Sequence, residues 1–426
     1  MAPSTRVVFR FCFVYLGLYC LCTQVITVFG GVLTGPTSDL SGARFLRPLV
    51  DRVAADVFGV AGPLVHAATA SSDRRSDWVL VFVLMMIATA VTVIWSVSAR
   101  GRTSHPALFT WFRLLLRFAL AGQLLLYGVA KIVLAQMPSP PLSTLMTPFG
   151  ELTPMGVLWS SVGASPAYEV VVGCTETIGG ILLLVPATAA LGALVSSVAL
   201  TQVFVLNMTY DVPVKIMSCH LLAIGVFLLA PDLRRLADVL LSLRVVEPVR
   251  RAPIFGSRRA NACVVVAQIA LALWIAIPIV QSGVDSRDTH GDTRDKPALY
   301  GMWEVESFSA DGRMVPLSVT EDKLWRRVFF EYAGEMKYQR MDDAFGIYLA
   351  AVDMDSHTID LRRYGNSGQS STLAFGLLDG DRLRMSGVLE GQEVTIALRK
   401  SDTSGLPLKG RGFHWVQDYP YNPDSR

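Results

Sequence analysis

The sequence predicts an α-helical transmembrane bundle of about seven spans, followed by an all-β small barrel or meander. Three observations predict it. Hydrophobic residues make up 52% of the 426 residues and charged residues only 17%, with a mean hydropathy of +0.43; a soluble domain carries about 25% charge. Apolar runs near the ~20 residues that a helix needs to cross a bilayer recur up to Val280. Beyond Lys296 the apolar period changes from helical to two. This composition excludes a disordered or low-complexity chain. The net charge of +3 gives no basic footprint, so no nucleic acid is expected as a partner. The charge is unevenly split: residues 1–296 carry a net +7 and residues 297–426 a net −4.

The seven runs are Val7–Leu33, Trp78–Ser98, Leu108–Gln136, Pro166–Val185, Ala187–Leu206, Val214–Ala230 and Cys263–Val280. The first has Arg6 and Arg10 at its N-terminal end, as a signal peptide would. It is too long for one, and no small-x-small cleavage site follows it, so it reads as a retained span. Only Pro186 separates the fourth and fifth runs, which predicts a tight hairpin. Lys and Arg concentrate in cytoplasmic connections. Arg100, Arg102 and Arg113 meet no acid in one connection. Arg234, Arg235, Arg244, Arg250, Arg251, Arg258 and Arg259 outnumber Asp232, Asp238 and Glu247 in another. Both are expected inside, which places the N-terminus inside and the C-terminus outside. Residues 34–77, 137–165 and 207–213 then face outward, with Phe45–Val60 amphipathic along the membrane surface. The expected organisation is two helices with a long outer loop (1–107), a four-helix core (108–245), a basic loop with the seventh span (246–281), a linker (282–296) and an extracytoplasmic β domain (297–426). All six cysteines (Cys12, Cys20, Cys22, Cys174, Cys219, Cys263) fall in predicted spans. They read as small buried apolar residues rather than a disulfide scaffold.

In the β domain, eight strands are expected: Met302–Ser309, Trp325–Tyr332, Glu335–Arg340, Phe345–Met354, His357–Tyr364, Ser371–Leu378, Arg382–Gly387 and Glu393–Lys400. Short Gly- and Asp-rich turns join many of them, as in hairpins. A meander closed on itself would remove its exposed edges. Gly301-Met302-Trp303 at the first strand resembles the lipocalin and wider calycin pattern. That resemblance implies a Trp303 plug beneath a basic residue from the last strand, Arg399 or Arg411. A solid barrel and a ligand cup are equally compatible with the pattern. The aromatic tail from Gly412 to Val416 is expected to close the barrel or touch the membrane interface. His414 reads as structural.

Ionisable groups inside a membrane are costly and therefore candidates for function. The third span carries Arg113, Arg117, Leu124, Tyr127 and Lys131 as a stripe; positions 117 and 131 share a face, about four turns apart. The two arginines lie near the inner end and can snorkel, as can Lys131 near the outer end. The fourth span places Glu169, Gly173 and Glu176 on one face, with Glu176 near mid-span. It would pair with Lys131, donate as a neutral acid, or serve as plain helix-packing glue. Asn207, Tyr210, Asp211, Lys215 and His220 form the densest polar cluster of the membrane part. Asp211 precedes Pro213, where it can cap the next helix. Lys215 would pair with Asp211 or Glu169. His220 is expected either as a hydrogen-bonded structural group or, beside Glu176, as a proton-relay group. No Walker sequence, H-E-x-x-H, C-x-x-C, G-x-S-x-G or metal-ligand cluster is present. This argues against a nucleotide-driven pump, hydrolase or metalloprotease.

The segment from Phe118 to Leu236 resembles the DoxX family of bacterial membrane proteins. The resemblance rests on Gly128 to Lys131 (GVAK), on Gly173 and Glu176 followed by Gly179, Gly180 and Leu182–Leu184, and above all on Tyr210 to Lys215 (YDVPVK) after Leu206 and Asn207 and before Ser218 and His220. It implies a helical-bundle core in the bacterial cytoplasmic membrane. Relatives of the DoxD type are subunits of a thiosulfate:quinone oxidoreductase, and others are linked to oxidative-stress systems. The implied function is an accessory component of a membrane redox system, with a quinone as the candidate cofactor. Membrane lipid and a redox enzyme are the candidate partners. Lys131, Glu176, Asp211 and Lys215 carry over as motif residues; the family has no agreed catalytic set, so none is assigned. The alternative is a non-catalytic, membrane-anchored binding or assembly protein whose barrel holds an apolar ligand or a partner. A small-solute transporter is a weaker third reading.

Overall fold

Backbone N–H and C=O groups find no water in hydrocarbon, so long apolar runs satisfy them within helices. The computed structural model describes residues 3–30, 42–66, 71–99, 106–241, 257–291, 293–317, 324–364, 370–419 and 421. Arg100, Arg102, Arg244, Arg250 and Arg251, which helped to set the expected orientation, lie outside the described residues, as does the end of the first run at Leu33. The chain divides into two units, one of residues 1–137 and 166–293, the other of residues 138–165 and 294–426.

The first unit is all-helical. Its helices are α1 (Pro3–Cys22), α2 (Arg47–Asp56), α3 (Arg75–Ser98) and α4 (Pro106–Ile132). In the second unit lie the short α5 (Leu142–Leu145) and α6 (Pro154–Gly163). The first unit resumes with α7 (Pro166–Leu184), α8 (Ala189–Thr209), α9 (Lys215–Leu229), α10 (Leu233–Leu240) and α11 (Arg258–His290). Seven stretches are long and apolar enough to cross a bilayer: α1, α3, α4, α7, α8, α9 with α10, and α11. The chain is a multi-pass membrane protein whose spans contact lipid. The expected hairpin at Pro186 is present between α7 and α8.

Helix α4 forms the centre of the bundle. Its glycines let α7 approach closely: a Cβ on Gly173 would lie 2.7 Å from both the Gly128 carbonyl oxygen and the Lys131 Cβ. The expected polar stripe of α4 divides between two neighbours. Arg113 and Tyr127 reach α9, whereas Arg117 and Lys131 reach α7. The arginines do not simply snorkel. Arg113 donates to the Leu228 carbonyl (3.0 Å), and Arg117 donates to the Leu183 carbonyl (2.9 and 2.7 Å) and the Leu184 carbonyl (3.1 Å). Each cation thus satisfies the free carbonyls at a helix C-terminus, where the helix dipole also favours positive charge.

Two elements differ from the expected runs. The first helix stops at Cys22, and the chain continues as a 3-10 helix over Gln24–Gly30. The last helix stays helical through the polar stretch expected as a linker, to His290. That stretch holds no proline, and Gly291 is where the helix ends. Of the six cysteines, Cys20 and Cys22 are buried, Cys12 and Cys174 half-buried, and Cys219 and Cys263 exposed on their helices.

The second unit is a closed antiparallel barrel. Its strands are β1 (Gly301–Ala310), β2 (Arg313–Val315), β3 (Trp325–Phe330), β4 (Glu335–Arg340), β5 (Phe345–Asp353), β6 (Thr358–Arg363), β7 (Ser370–Leu377), β8 (Arg382–Leu389) and β9 (Gln392–Lys400). Strands β1 and β3 to β9 are the eight expected. They pair in sequence order, and β1 closes on β9 from Trp303 opposite Lys400 to Ala310 opposite Val394. The short β2 returns along the end of β1 and was not foreseen. Alternate residues fill the interior. Val328, Met336, Ile359, Leu373, Met385 and Ile396 show no exposed surface at all. A water-sized void beside them would expose them, so the barrel is packed solid around these side chains.

One outward patch of the barrel is also buried. Met302 and Phe329 pack against Leu142 of α5. Glu331, itself buried, accepts from the Ser143 hydroxyl (2.6 Å) and from the Leu142 and Ser143 backbone N–H groups. Gln339 donates to the Met146 carbonyl (3.3 Å). The connection between the third and fourth spans is therefore clamped to the barrel wall. The tail does not close the barrel: Phe413 is 76% and Trp415 91% exposed. Helix α12 (Pro407–Gly410) precedes this tail.

Candidate functional site

The candidate site residues of the membrane part lie toward the end of the bundle opposite Arg113 and Arg117. Lys131, in the last turn of α4, places its Nζ 2.7 Å from Glu176 Oε2 on α7. Their side chains are only 7% and 4% exposed. The Gly128–Gly173 crossing brings the two backbones close enough for this pair to form. Lys131 Nζ also stands 5.9 Å from the centre of the Tyr127 ring.

Tyr127 turns to α9 and to the 3-10 helix. Its hydroxyl accepts from Gln24 Nε2 (3.3 Å) and donates to Met217 Sδ (3.6 Å). Gln24 Nε2 also contacts Met217 Sδ. One turn along α9, His220 donates from Nδ1 to the Ile216 carbonyl (2.7 Å). Its Nε2 is then the acceptor, and the Tyr15 hydroxyl lies 2.7 Å away. Tyr19 stacks flat on the imidazole at 3.8 Å between ring centres. His220 thus meets two α1 tyrosines rather than Glu176.

The cluster at the start of α9 divides similarly. Lys215 Nζ lies 2.7 Å from Asp211 Oδ1 and 3.8 Å from Asp73 Oδ2. Asp211, expected to cap α9, does not. Asp73 accepts from the backbone N–H groups of Lys215 (2.8 Å) and Ile216 (2.9 Å). Asp211 instead occupies the turn before the helix with φ 52°, a left-handed conformation that Asp tolerates better than most side chains. Glu169 accepts from the Met137 backbone N–H (2.9 Å), not from Lys215. Asn207 is buried near the end of α8, and its Nδ2 has no partner among the described residues. Tyr210 is half-buried just beyond that end.

In the β domain, Trp303 is buried and donates from Nε1 to the Leu299 carbonyl (2.9 Å). The basic group over it is Lys400, with Nζ 5.6 Å from the ring centre. Arg399 is elsewhere, paired with Glu306 at 3.0 Å, and Arg411 stacks on Tyr421 at 3.9 Å. Lys400 pairs in register with Trp303, and neighbouring strand residues point to opposite faces. That alternation turns Arg399 outward. Burial holds the Tyr348 hydroxyl above its ordinary pKa. Hydrogen bonds from the Ser356 side chain, then from backbone N–H groups, hold exposed Asp353 below its own.

Sequence reasoning missed Tyr15, Tyr19, Gln24, Asp73, Glu331, Gln339 and Lys400. Among the described residues there is no group of three or more His, Cys, Asp and Glu side chains placed to hold a metal.

Seven spans and a buried ion pair define a multi-pass membrane protein with a polar site in its helical bundle. The chain belongs to the same family as the uncharacterized protein YwoB of Bacillus subtilis (strain 168). It is 31% identical to that relative over 147 residues, covering 32% of this chain and 83% of the relative. No family model matches the chain, and no solved structure matches it.

Proposed function

We propose that this chain is a DoxX-type protein of the bacterial cytoplasmic membrane, with its N-terminus inside and its β domain outside. In this reading it is an accessory component of a quinone-linked or oxidative-stress redox system. One observation carries the reading. Lys131 and Glu176, both motif positions of the resemblance, are buried together as an ion pair beside Tyr127. Buried charges rarely earn their place through stability, because a well-packed apolar pair is often as stable. Ionisable groups kept within spans mark functional sites by default. Net-basic connections support the orientation.

The test is to purify the protein in mild detergent, extract its bound lipids and assay them for quinone. In parallel, a Glu176→Gln strain is challenged with oxidants. Bound quinone and a sensitised mutant support the reading. A quinone-free extract together with an unaltered phenotype refutes it.

A second reading is a non-catalytic anchor whose barrel engages a protein partner. The solid barrel interior favours an outer surface over a ligand cup as the means of engagement. In that case Glu176→Gln is harmless, whereas deletion of 297–426 abolishes function.

A further inference from the structure

The first span reverses direction inside the bundle. Helix α1 runs alongside α4 in the same sense: Phe9 meets Phe109, and Phe13 meets Phe112. Gln24 reaches Tyr127, and its carbonyl accepts from Gln123 Nε2 (3.5 Å). Four residues later the order inverts. Val28 packs on Gly122, where an added Cβ would lie 2.8 Å from Val28 Cγ2, and joins Phe118 in one buried cluster. Helix α11 gives the same answer independently. Its Gly283 packs on Val129, whereas its Trp274 donates to the Phe29 carbonyl (3.1 Å). Trp274 and Gly283 are nine residues apart on α11, so at 1.5 Å per residue Phe29 lies roughly 13 Å from the Val129 level along the bundle axis. The Gln24–Gly30 segment is thus re-entrant. A chain reversal at such depth persists only where protein covers it or where it lines a cavity.

Gln123 stands beside the turning point of this segment. It is 1% exposed, and its Oε1 has no hydrogen-bond partner among the described residues. The amide orientation is set by its Nε2, which donates to the Gln24 carbonyl. A buried acceptor without a donor has lost its water and gained nothing in exchange. Gln24, whose carbonyl meets the Gln123 amide, is exposed, so a ligand from outside the bundle reaches Gln123 by displacing the Gln24 side chain. The neighbouring charges do not favour an ionic ligand, because Lys131 and Glu176 neutralise each other. Met217, Val25 and Val28, only 4%, 0% and 2% exposed, back this cluster with apolar side chains from within the bundle.

From these features we infer that Gln24, Gln123, Tyr127 and Met217 form a binding site for a neutral amphiphile whose head donates a hydroxyl hydrogen bond to Gln123 Oε1. Gln24 and Tyr127 flank the head, and the apolar body lies against the re-entrant segment. A hydroxylated lipid headgroup and a reduced quinone head share this chemistry. The inference rests on the reading of this end of the bundle as a ligand site, and it specifies the donor that the ligand must bring.

The test uses the full-length protein in phosphatidylcholine nanodiscs and four probes: a decyl hydroquinone, its dimethyl ether, the matching quinone and a monoacylglycerol. At least one hydroxyl probe is expected to bind about ten-fold more tightly than the ether and the quinone, as one hydrogen bond to a buried acceptor allows. Whichever hydroxyl probe binds identifies the source. Gln123→Leu should abolish the advantage. Exposed Gln24→Ala, which disturbs packing less, should weaken it. Ether or quinone binding as tightly as the hydroxyl probes, or an advantage that survives Gln123→Leu, overturns the inference while leaving the redox reading intact. Binding of none of the four overturns both.

Discussion

The Lys131–Glu176 pair allows a quantitative test. Lys131→Met removes the ammonium and strands the Glu176 carboxylate, whose side chain is 4% exposed. Removing one partner of a buried pair typically costs about 3–5 kcal/mol, because the remaining charge stays buried. Glu176→Gln strands the Lys131 ammonium, whose side chain is 7% exposed, but leaves it a neutral acceptor of nearly the same shape. Its cost belongs at the lower end of that range, near ~3 kcal/mol. The double variant strands no charge and should lie within about 1–2 kcal/mol of the wild type. The single costs therefore overshoot the double by several kcal/mol, far beyond the ~0.5 kcal/mol scatter of independent sites. The assay is unfolding by SDS in mixed micelles, followed by circular dichroism, for all four proteins of the cycle. Single costs that add up in the double variant would refute the reasoning, and with it the claim that the two groups act as one buried unit.

Three other predictions concern separate elements. Asp73→Ala leaves two first-turn N–H groups of α9 without their acceptor and removes a carboxylate near Lys215, so it should lower stability by about 1–2 kcal/mol in the same assay. Wild-type stability in Asp73→Ala would show that another group caps α9. Glu331→Ala should release residues 138–165 from the barrel wall, and limited proteolysis should then cut within that segment at least several-fold faster. Asp353 has a folded pKa below its unfolded one, so its stabilising effect is present above the unfolded value and is lost as pH falls through the folded value. Asp353→Ala should therefore flatten the acid limb of the barrel's stability profile without steepening it, as followed by near-ultraviolet circular dichroism.

The parts of this molecule that were legible in sequence are those governed by a local period. Spans announce themselves because a bilayer demands long apolar runs, and the eight barrel strands because their faces alternate. Lys131 and Glu176 could be matched because each was an isolated charge at a calculable depth on its own helix. The re-entrant turn was not legible: Gln24–Gly30 is apolar enough to pass as the end of a span. Long-range partners left no local trace either. Tyr15 is 205 positions from His220, Asp73 is 142 from Lys215, and Ser143 is 188 from Glu331. The plug residue failed for a different reason. Arg399 and Lys400 are neighbours, and a one-residue shift of register exchanges the two faces of a strand.

The clamp between the third-to-fourth-span connection and the barrel also constrains topology. Ser143 and Glu331 are hydrogen-bonded, so both must lie on one side of the membrane. Between them in the chain stand α7, α8, α9 with α10, and α11, four candidate spans. An even number of crossings returns the chain to its starting side, and an odd number does not. If one of the four lay on the membrane surface, the clamp could not form. The clamp is therefore evidence, independent of hydropathy, that an even number of these candidates cross. In the proposed orientation the side that holds the clamp is the outer one, because Arg113, Arg234 and Arg235 stand at the opposite end of the bundle from Lys131 and Lys215. Single cysteines placed at Ser161 and Asp379 on a cysteine-free background should both react with a membrane-impermeant maleimide added outside intact cells. Labelling of one and not the other would break the parity argument, and labelling of both only after lysis would reverse the orientation.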